Sequence, residues 1–271
     1  MFVSMLSVVN GLKFGLDHIT PFAWGVLGLL AILSTMSWAA LLMKWLLLNR
    51  TDRANRRFLS GFHESPHPLA IYLTKEQVDM SPLFYLYHAA SRELAFHLVG
   101  EEEPGRSFSA RLQGAGRITP SQMGSVHHAM ERAVGSAALK LEARLSLVAT
   151  VISLAPLLGI LGTVVGLLDV FAALDANERG ALAPGISSAL ITTIAALLVV
   201  VPSLAGYNAV VARIRAIIVR LDNFASELSG LFDRQFVDHR KVEDFLPSMG
   251  TLGAPAMPTP STTGARSPAR V

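Results

Sequence analysis

Three stretches of this chain are too long and too apolar for ordinary core helices. From Pro21 to Leu48 the only charge is Lys44, from Leu145 to Leu168 there is none, and none falls between Arg179 and Arg213. A helix needs ~20 mainly apolar residues to cross ~30 Å of hydrocarbon, and each run meets that length. The pattern therefore predicts an all-α membrane protein with three transmembrane helices, at residues 21–48, 145–168 and 185–211. Lys44 falls near the end of the first span, where its ammonium is expected to snorkel to the headgroups. Trp38 and Trp45 suit an interfacial position at that same end.

Residues 3–17 alternate apolar and polar positions at helical period. Leu6, Val9, Leu12 and Leu16 mark one face, with Lys13 and Asp17 on the other. A secretory signal would place basic residues first and a small-residue cleavage site after the apolar stretch. Neither feature is found, so residues 1–20 are read as an outer amphipathic segment lying in the membrane interface.

Orientation follows from the lysines and arginines nearest each span. Lys44, Arg50, Arg53, Arg56 and Arg57 follow the first, Arg132, Lys140 and Arg144 precede the second, and Arg213, Arg215 and Arg220 follow the third. The other side carries only Lys13 and Arg179 near the membrane. The expectation is a multi-pass membrane protein with its N-terminus outside. Residues 49–144 then form a cytoplasmic helical domain, 169–184 a short outer loop, and the C-terminus is cytoplasmic.

Two apolar stripes continue past the membrane. Thr119, Pro120 and Gln122 give a capped helix start. From there Met123, Val126, Met130, Val134, Ala137, Leu141 and Leu145 recur at three- and four-residue spacing. This predicts one helix running from near residue 120 through the second span. After the third span, Ile214, Ile217, Ile218, Leu221, Phe224, Leu228 and Leu231 keep a helical stripe over a cytoplasmic helix at 212–246. Residues 210–236 alone would project roughly 40 Å. The two stripes are expected to pair as a long helical stalk. Between residues 58 and 118, short apolar stretches broken by Pro66, Pro68, Pro82 and Pro104 read as helices with loops, one of them near 82–99. Glu101 to Glu103 read as a solvated turn. Residues 247–271, rich in Pro, Ser, Thr, Gly and Ala, read as a disordered tail.

Composition narrows the chemistry. Charged residues make up 16% of the 271, against about 25% in soluble domains, and 51% are hydrophobic. The balance is slightly basic, at +3, but no Lys/Arg stripe interleaves with aromatics, so no nucleic-acid partner is expected. The absence of cysteine excludes disulfides, thiol catalysis and zinc–thiolate sites. His127 and His128 point ~100° apart on a helix, and Pro66 argues against a helix carrying His63 and His67, so no metal site is expected. No phosphate-binding glycine loop or serine-nucleophile elbow occurs. The chain is not expected to be an enzyme, and no catalytic residue or cofactor is predicted.

What remains lies in the last two spans. Residues 155–168 read APLLGILGTVVGLL, with Gly159, Gly162 and Gly166 permitting close helix approach and Thr163 placing a hydroxyl in mid-span. Residues 184–202 read PGISSALITTIAALLVVVP, in which Pro184 and Gly185 start a helix, and Ser188, Thr192 and Thr193 put hydroxyls in its outer half. Pattern alone leaves two readings open. The hydroxyls bond back to their own helix or glue neighbours together, as in a structural membrane scaffold, or they line an ion path.

The run APLLGILGTVVG resembles the second-span signature of the ExbB/TolQ family, S/A-P-x-x-G-L-x-G-T-V-W-G. The run from Pro184 to Asn208 resembles its third-span signature, P-G-I-x-E-A-L-x-x-T-x-x-G-L-x-x-x-I-P followed by Tyr-Asn, here Tyr207 and Asn208. The proline-to-proline spacing matches without a gap, and the resemblance covers about residues 120–236. The first span and the cytoplasmic region match in layout only. The flagellar stator relatives carry an additional span and fit less well.

The resemblance implies a proton-channel subunit of a bacterial inner membrane, with the N-terminus and the 169–184 loop in the periplasm. It would assemble as a homo-oligomer, a pentamer in that family, around a single-span ExbD/TolR-like partner. Proton entry would then energise a TonB- or TolA-like protein that drives outer-membrane import or envelope maintenance. Carried over by position, Thr163 and Thr193 match the threonines of the family's ion path, and Pro156, Pro184 and Pro202 match its motif prolines. Three positions depart: Ser188 stands where the motif has glutamate, Val165 where it has tryptophan, and Ala196 where it has glycine. The proton-carrying carboxylate is then expected on the partner helix.

Overall fold

The computed structural model describes residues 13, 15–17, 19–74, 79–100, 108–175, 180 and 182–238. Among the described residues seven helices carry the fold: α1 (Pro21–Glu64), α2 (Ala70–Thr74), α3 (Pro82–Val99), α4 (Phe108–Gly114), α5 (Pro120–Glu142), α6 (Leu145–Asp175) and α7 (Leu182–Phe236). Among the described residues there is no strand, only a single bridge between Ile118 and Val237. Three helices, α1, α6 and α7, are long and apolar enough to cross a membrane. The protein is an all-α membrane protein. The expected amphipathic segment lies mostly outside the described residues, although Gly15–Asp17 are helical. Glu101 to Glu103, residues 239–246 and the tail at 247–271 lie outside them too.

Helix starts follow one local rule. Thr20-Pro21, Ser81-Pro82 and Thr119-Pro120 each place a hydroxyl at the N-cap and proline at the first helical position. There the missing N–H costs nothing and the fixed φ suits the helix. The Thr119 cap is reciprocal: its hydroxyl accepts from the Gln122 N–H at 3.3 Å, and Gln122 Oε1 accepts from the Thr119 N–H at 2.8 Å. α3 ends at Gly100, whose φ of 78° gives the left-handed cap that glycine adopts without strain.

One expectation is corrected. The stripe beginning at Met123 does not continue as a single helix into the second span. α5 stops at Glu142, and Arg144 takes a φ of 68° before α6 begins. Apolar period alone cannot register such a break, because Leu141 and Leu145 are both buried on either side of it. Lys44 is a second correction. It does not snorkel outward but is 7% exposed, and its Nζ donates to the Lys140 carbonyl at 3.5 Å. The last carbonyls of α5 have no intrahelical donor, so they provide an acceptor inside the fold.

At 55 residues α7 is about 80 Å long, well over twice the hydrocarbon thickness. Its C-terminal half packs with the C-terminal half of α1 and with α3 and α5 around one core, where Phe58 makes edge contacts with Phe84 and Phe224. Tyr87, fully buried, joins this cluster and donates its hydroxyl to the Pro68 carbonyl at 2.7 Å. The bridge at Ile118 ties the start of α5 to the end of α7, with Ile118 N–H donating to Phe236 at 2.9 Å. The membrane half has a much smaller core, Val26, Leu30, Ala155 and Ala196. Most side chains there face outward, such as Leu198 at 70% exposure, as expected of lipid-facing or subunit-facing surfaces.

Candidate ion path

Small residues bring α6 and α7 together. A Cβ on Gly159 would stand 2.7 Å from the Ala196 Cβ, one on Gly166 would stand 2.7 Å from the Ala189 Cβ, and one on Gly162 would collide with the Thr192 side chain. Near the start of α7 Gly185 lies against Val170. Gly159, Gly162 and Gly166 therefore face Ala196, Thr192 and Ala189 across an antiparallel seam. Pro184 sits in the first turn of α7, while Pro156 and Pro202 stand inside α6 and α7. Each interior proline removes one backbone donor from its helix.

This seam divides the four predicted hydroxyls. Thr192 is fully buried, pressed on Gly162, and donates to the Ala189 carbonyl of its own helix at 2.7 Å. Ser188 is 1% exposed and faces α1, where its Oγ accepts the Thr20 N–H at 3.2 Å. These two lie inside the subunit. Thr163 and Thr193 are half-buried and stand apart from them.

Helical geometry puts Thr163 and Thr193 on one edge. At ~100° per residue, Thr163 is rotated ~60° from Gly166, and Thr193 is rotated ~60° in the same sense from Ala196. Because the helices run antiparallel, equal rotations carry both side chains to the same side of the seam. α1 packs on the other side, through Val26 and Leu30 against Ala155 and Ala196. The threonine edge thus faces away from the rest of the subunit.

Hydrogen bonding sets what this edge offers. The Thr193 hydroxyl donates across the seam to the Gly159 carbonyl at 3.1 Å, and the Thr163 hydroxyl donates to the Ile160 carbonyl at 2.7 Å. Both hydrogens are engaged by carbonyls, which leaves oxygen lone pairs as acceptors. Such an edge takes hydrogen bonds from water, hydronium or a protonated carboxylic acid. It has no group that titrates near neutral pH, and no Asp, Glu, Lys, Arg or His occurs from Leu145 to Leu168 or from Leu182 to Ala212.

Two contacts had no clear sequence signal. The Ser37 hydroxyl donates to Ser203 at 3.2 Å, buried between α1 and α7. At the polar end of the spans, the Arg213 guanidinium lies 3.7 Å from the Trp45 ring centre and donates to Asn49 Oδ1 at 2.7 Å. Of the histidines considered above, His63 meets Glu227 at 3.1 Å, His127 and His128 meet Glu131 at 3.5 and 3.0 Å, and His67 accepts the Leu69 N–H at 3.2 Å.

Fold and seam together define a three-span helical membrane protein with a hydroxyl-bearing edge. Residues 100–223 match the MotA/TolQ/ExbB proton channel family. The chain is similar to the Tol-Pal system protein TolQ of Pseudomonas aeruginosa, 36% identical over 51% of this chain and 58% of that protein. TolQ of Haemophilus influenzae is 34% identical over 51% of this chain and 60% of that protein. The biopolymer transport protein ExbB of Xanthomonas campestris is 28% identical, over 78% of this chain and 81% of that protein. The matched stretch spans less than two thirds of the TolQ relatives' own length. Over residues 100–223, which include its last two spans, the chain is thus similar to the MotA/TolQ/ExbB proton channel family.

Proposed function

We propose that this chain is the proton-channel subunit of an inner-membrane ExbB–ExbD/TonB-type complex, in which the proton motive force drives outer-membrane import. The carrying observation is the shared edge of Thr163 and Thr193, turned away from α1 and equipped with free acceptor lone pairs. Several copies, five in the reading adopted here, surround a single-span partner of the ExbD/TolR kind. The partner supplies an aspartate to the threonine edge.

Energetics support this division of labour. A charge at mid-membrane costs about 3 kcal/mol or more, so it stands where function needs it, and this chain has none in α6 or α7 at that depth. With both hydroxyl hydrogens engaged, the edge favours the protonated partner carboxyl, which can donate to it. The deprotonated form gains nothing from these acceptors. Proton loss and gain then change how strongly the partner helix holds this surface. The lysine and arginine bias supports a periplasmic N-terminus and a cytoplasmic helical domain.

The test is proton flux in vesicles holding the chain with its partner. Thr163→Val together with Thr193→Val is expected to abolish partner-dependent flux. Unchanged flux in that double variant would sink the assignment.

The higher identity to TolQ favours a second reading, a subunit of the Tol envelope-maintenance system. The ExbB alignment favours the first by covering more of this chain. Complementation separates them. An import subunit restores growth that depends on outer-membrane uptake in a strain lacking ExbB, whereas a Tol subunit restores detergent resistance in one lacking TolQ.

A further inference from the structure

An apolar cavity of about 360 Å³ lies between α1, α3 and α5, away from the threonine edge. Leu47, Tyr85, Ala89, Ala133, Ala137 and Leu141 provide much of its wall, and Lys140 lies at its margin. Leu47 is next to the last residue of the first span, and Leu141 precedes α6 by four positions. The cavity therefore sits at the depth of the lipid headgroups.

Three cations gather beside it. The Lys140 ammonium stands 5.4 Å from the centre of the Tyr85 ring. Lys44, one turn before Leu47, is buried and reaches only the Lys140 carbonyl, at 3.5 Å. Arg144 acts on Lys44 as a like charge. Among the described residues no carboxylate pairs with any of the three. A buried ammonium next to two further cations is an arrangement that water alone stabilises poorly. An anion at this point would relieve it.

We propose that the cavity and its three cations hold one anionic phospholipid. Its phosphate lies between Lys140 and Arg144 with Lys44 behind, and an acyl chain enters the apolar cavity. Both halves of the ligand are needed. A free phosphate would leave the cavity empty, and an uncharged lipid would leave the cations unpaired. A zwitterionic headgroup brings its own ammonium into a field that is already positive, so binding selects for net negative charge.

Mass spectrometry of the assembled complex, released from vesicles of mixed phosphatidylglycerol and phosphatidylcholine, tests this. Phosphatidylglycerol is expected to be retained in preference. Lys140→Gln and Arg144→Gln should each lower that preference by up to about fivefold. Ala137→Leu, which narrows the cavity and keeps the cations, should reduce retention of phosphatidylglycerol. Equal retention of the two lipids, or a preference that survives Lys140→Gln with Arg144→Gln, overturns the proposal. So does displacement of the lipid by millimolar inorganic phosphate, which would assign the site to a soluble anion. A photo-crosslinker in place of Tyr85 gives an independent readout. Crosslinks to phospholipid support the site, and crosslinks to a second copy of the chain overturn it.

Discussion

The Thr20 N–H donates to the Ser188 hydroxyl at 3.2 Å, closing the N-terminus of α1 with a side chain from α7. Gly15, just before α1, packs against Ser187 and Ile191 on the same stretch of α7, so the approach to α1 and the start of α7 form one unit. Ser188 stands where the family motif has glutamate, and a carboxylate there would meet the positive end of the α1 dipole. Serine keeps the hydrogen bond and drops the charge. Ser188→Ala is therefore expected to cost about 0.6 kcal/mol, typical of a hydrogen bond between membrane helices. Partner-dependent proton flux should persist, because the residue faces α1 and not the threonine edge. Thermal unfolding and vesicle flux on the same preparation check the two halves, and loss of flux at unchanged stability would count against this reading.

Gly162 tests the seam. A methyl group at this position would meet the Thr192 side chain, which is fully buried and has no room to withdraw. Gly162→Ala should force α6 and α7 apart and lower stability by about 1–3 kcal/mol, the range for overpacking a close contact. Gly180→Ala, in open space, is the control and should be neutral by the same unfolding assay.

The three spans were legible because an uncharged run of this length has few other solutions, and the Thr119–Pro120 cap marked where α5 begins. The threonine edge was legible only in part. Thr163, Thr192 and Thr193 look alike in sequence, and only the register against Gly159 and Gly162 separates the buried hydroxyl from the two on the edge. The break at Arg144 and the inward turn of Lys44 were not legible. Both depend on how α1 meets the end of α5, a contact between residues 96 positions apart.

Tyr87 links the helical domain to alkaline pH. Burial is the main cause that pushes its phenol up to about 12 from an ordinary 10.0, and its hydroxyl also accepts the Tyr72 N–H at 3.1 Å. In the unfolded chain the phenol ionises near 10, while in the fold it keeps its proton. Stability from this group is therefore complete below pH ~10 and falls as pH rises towards ~12, by about 1.4 kcal/mol per unit. Tyr87→Phe should remove this part of the alkaline slope. It should also cost about 1–3 kcal/mol at neutral pH, since the Pro68 carbonyl and the Tyr72 N–H lose their buried partner. Chemical unfolding at pH 7 and across pH 9–12 reads both effects.

Arg213 and Trp45 separate anchoring from clamping at the polar end of the spans. An arginine here has a simple explanation, attraction to lipid headgroups, and lysine would then serve equally well. The geometry argues for more. The guanidinium plane lies 3.7 Å from the Trp45 ring centre and also donates to Asn49 at 2.7 Å, so one side chain of α7 holds two residues of α1. A lysine ammonium has neither the flat face nor the forked donors to make both contacts at once. Arg213→Lys is expected to lose about 0.5–2 kcal/mol, the range for a cation over an aromatic face. In a Trp24→Phe, Trp38→Phe background the Trp45 emission should shift as the guanidinium leaves the ring. An unshifted spectrum with unchanged stability would reduce Arg213 to a headgroup anchor.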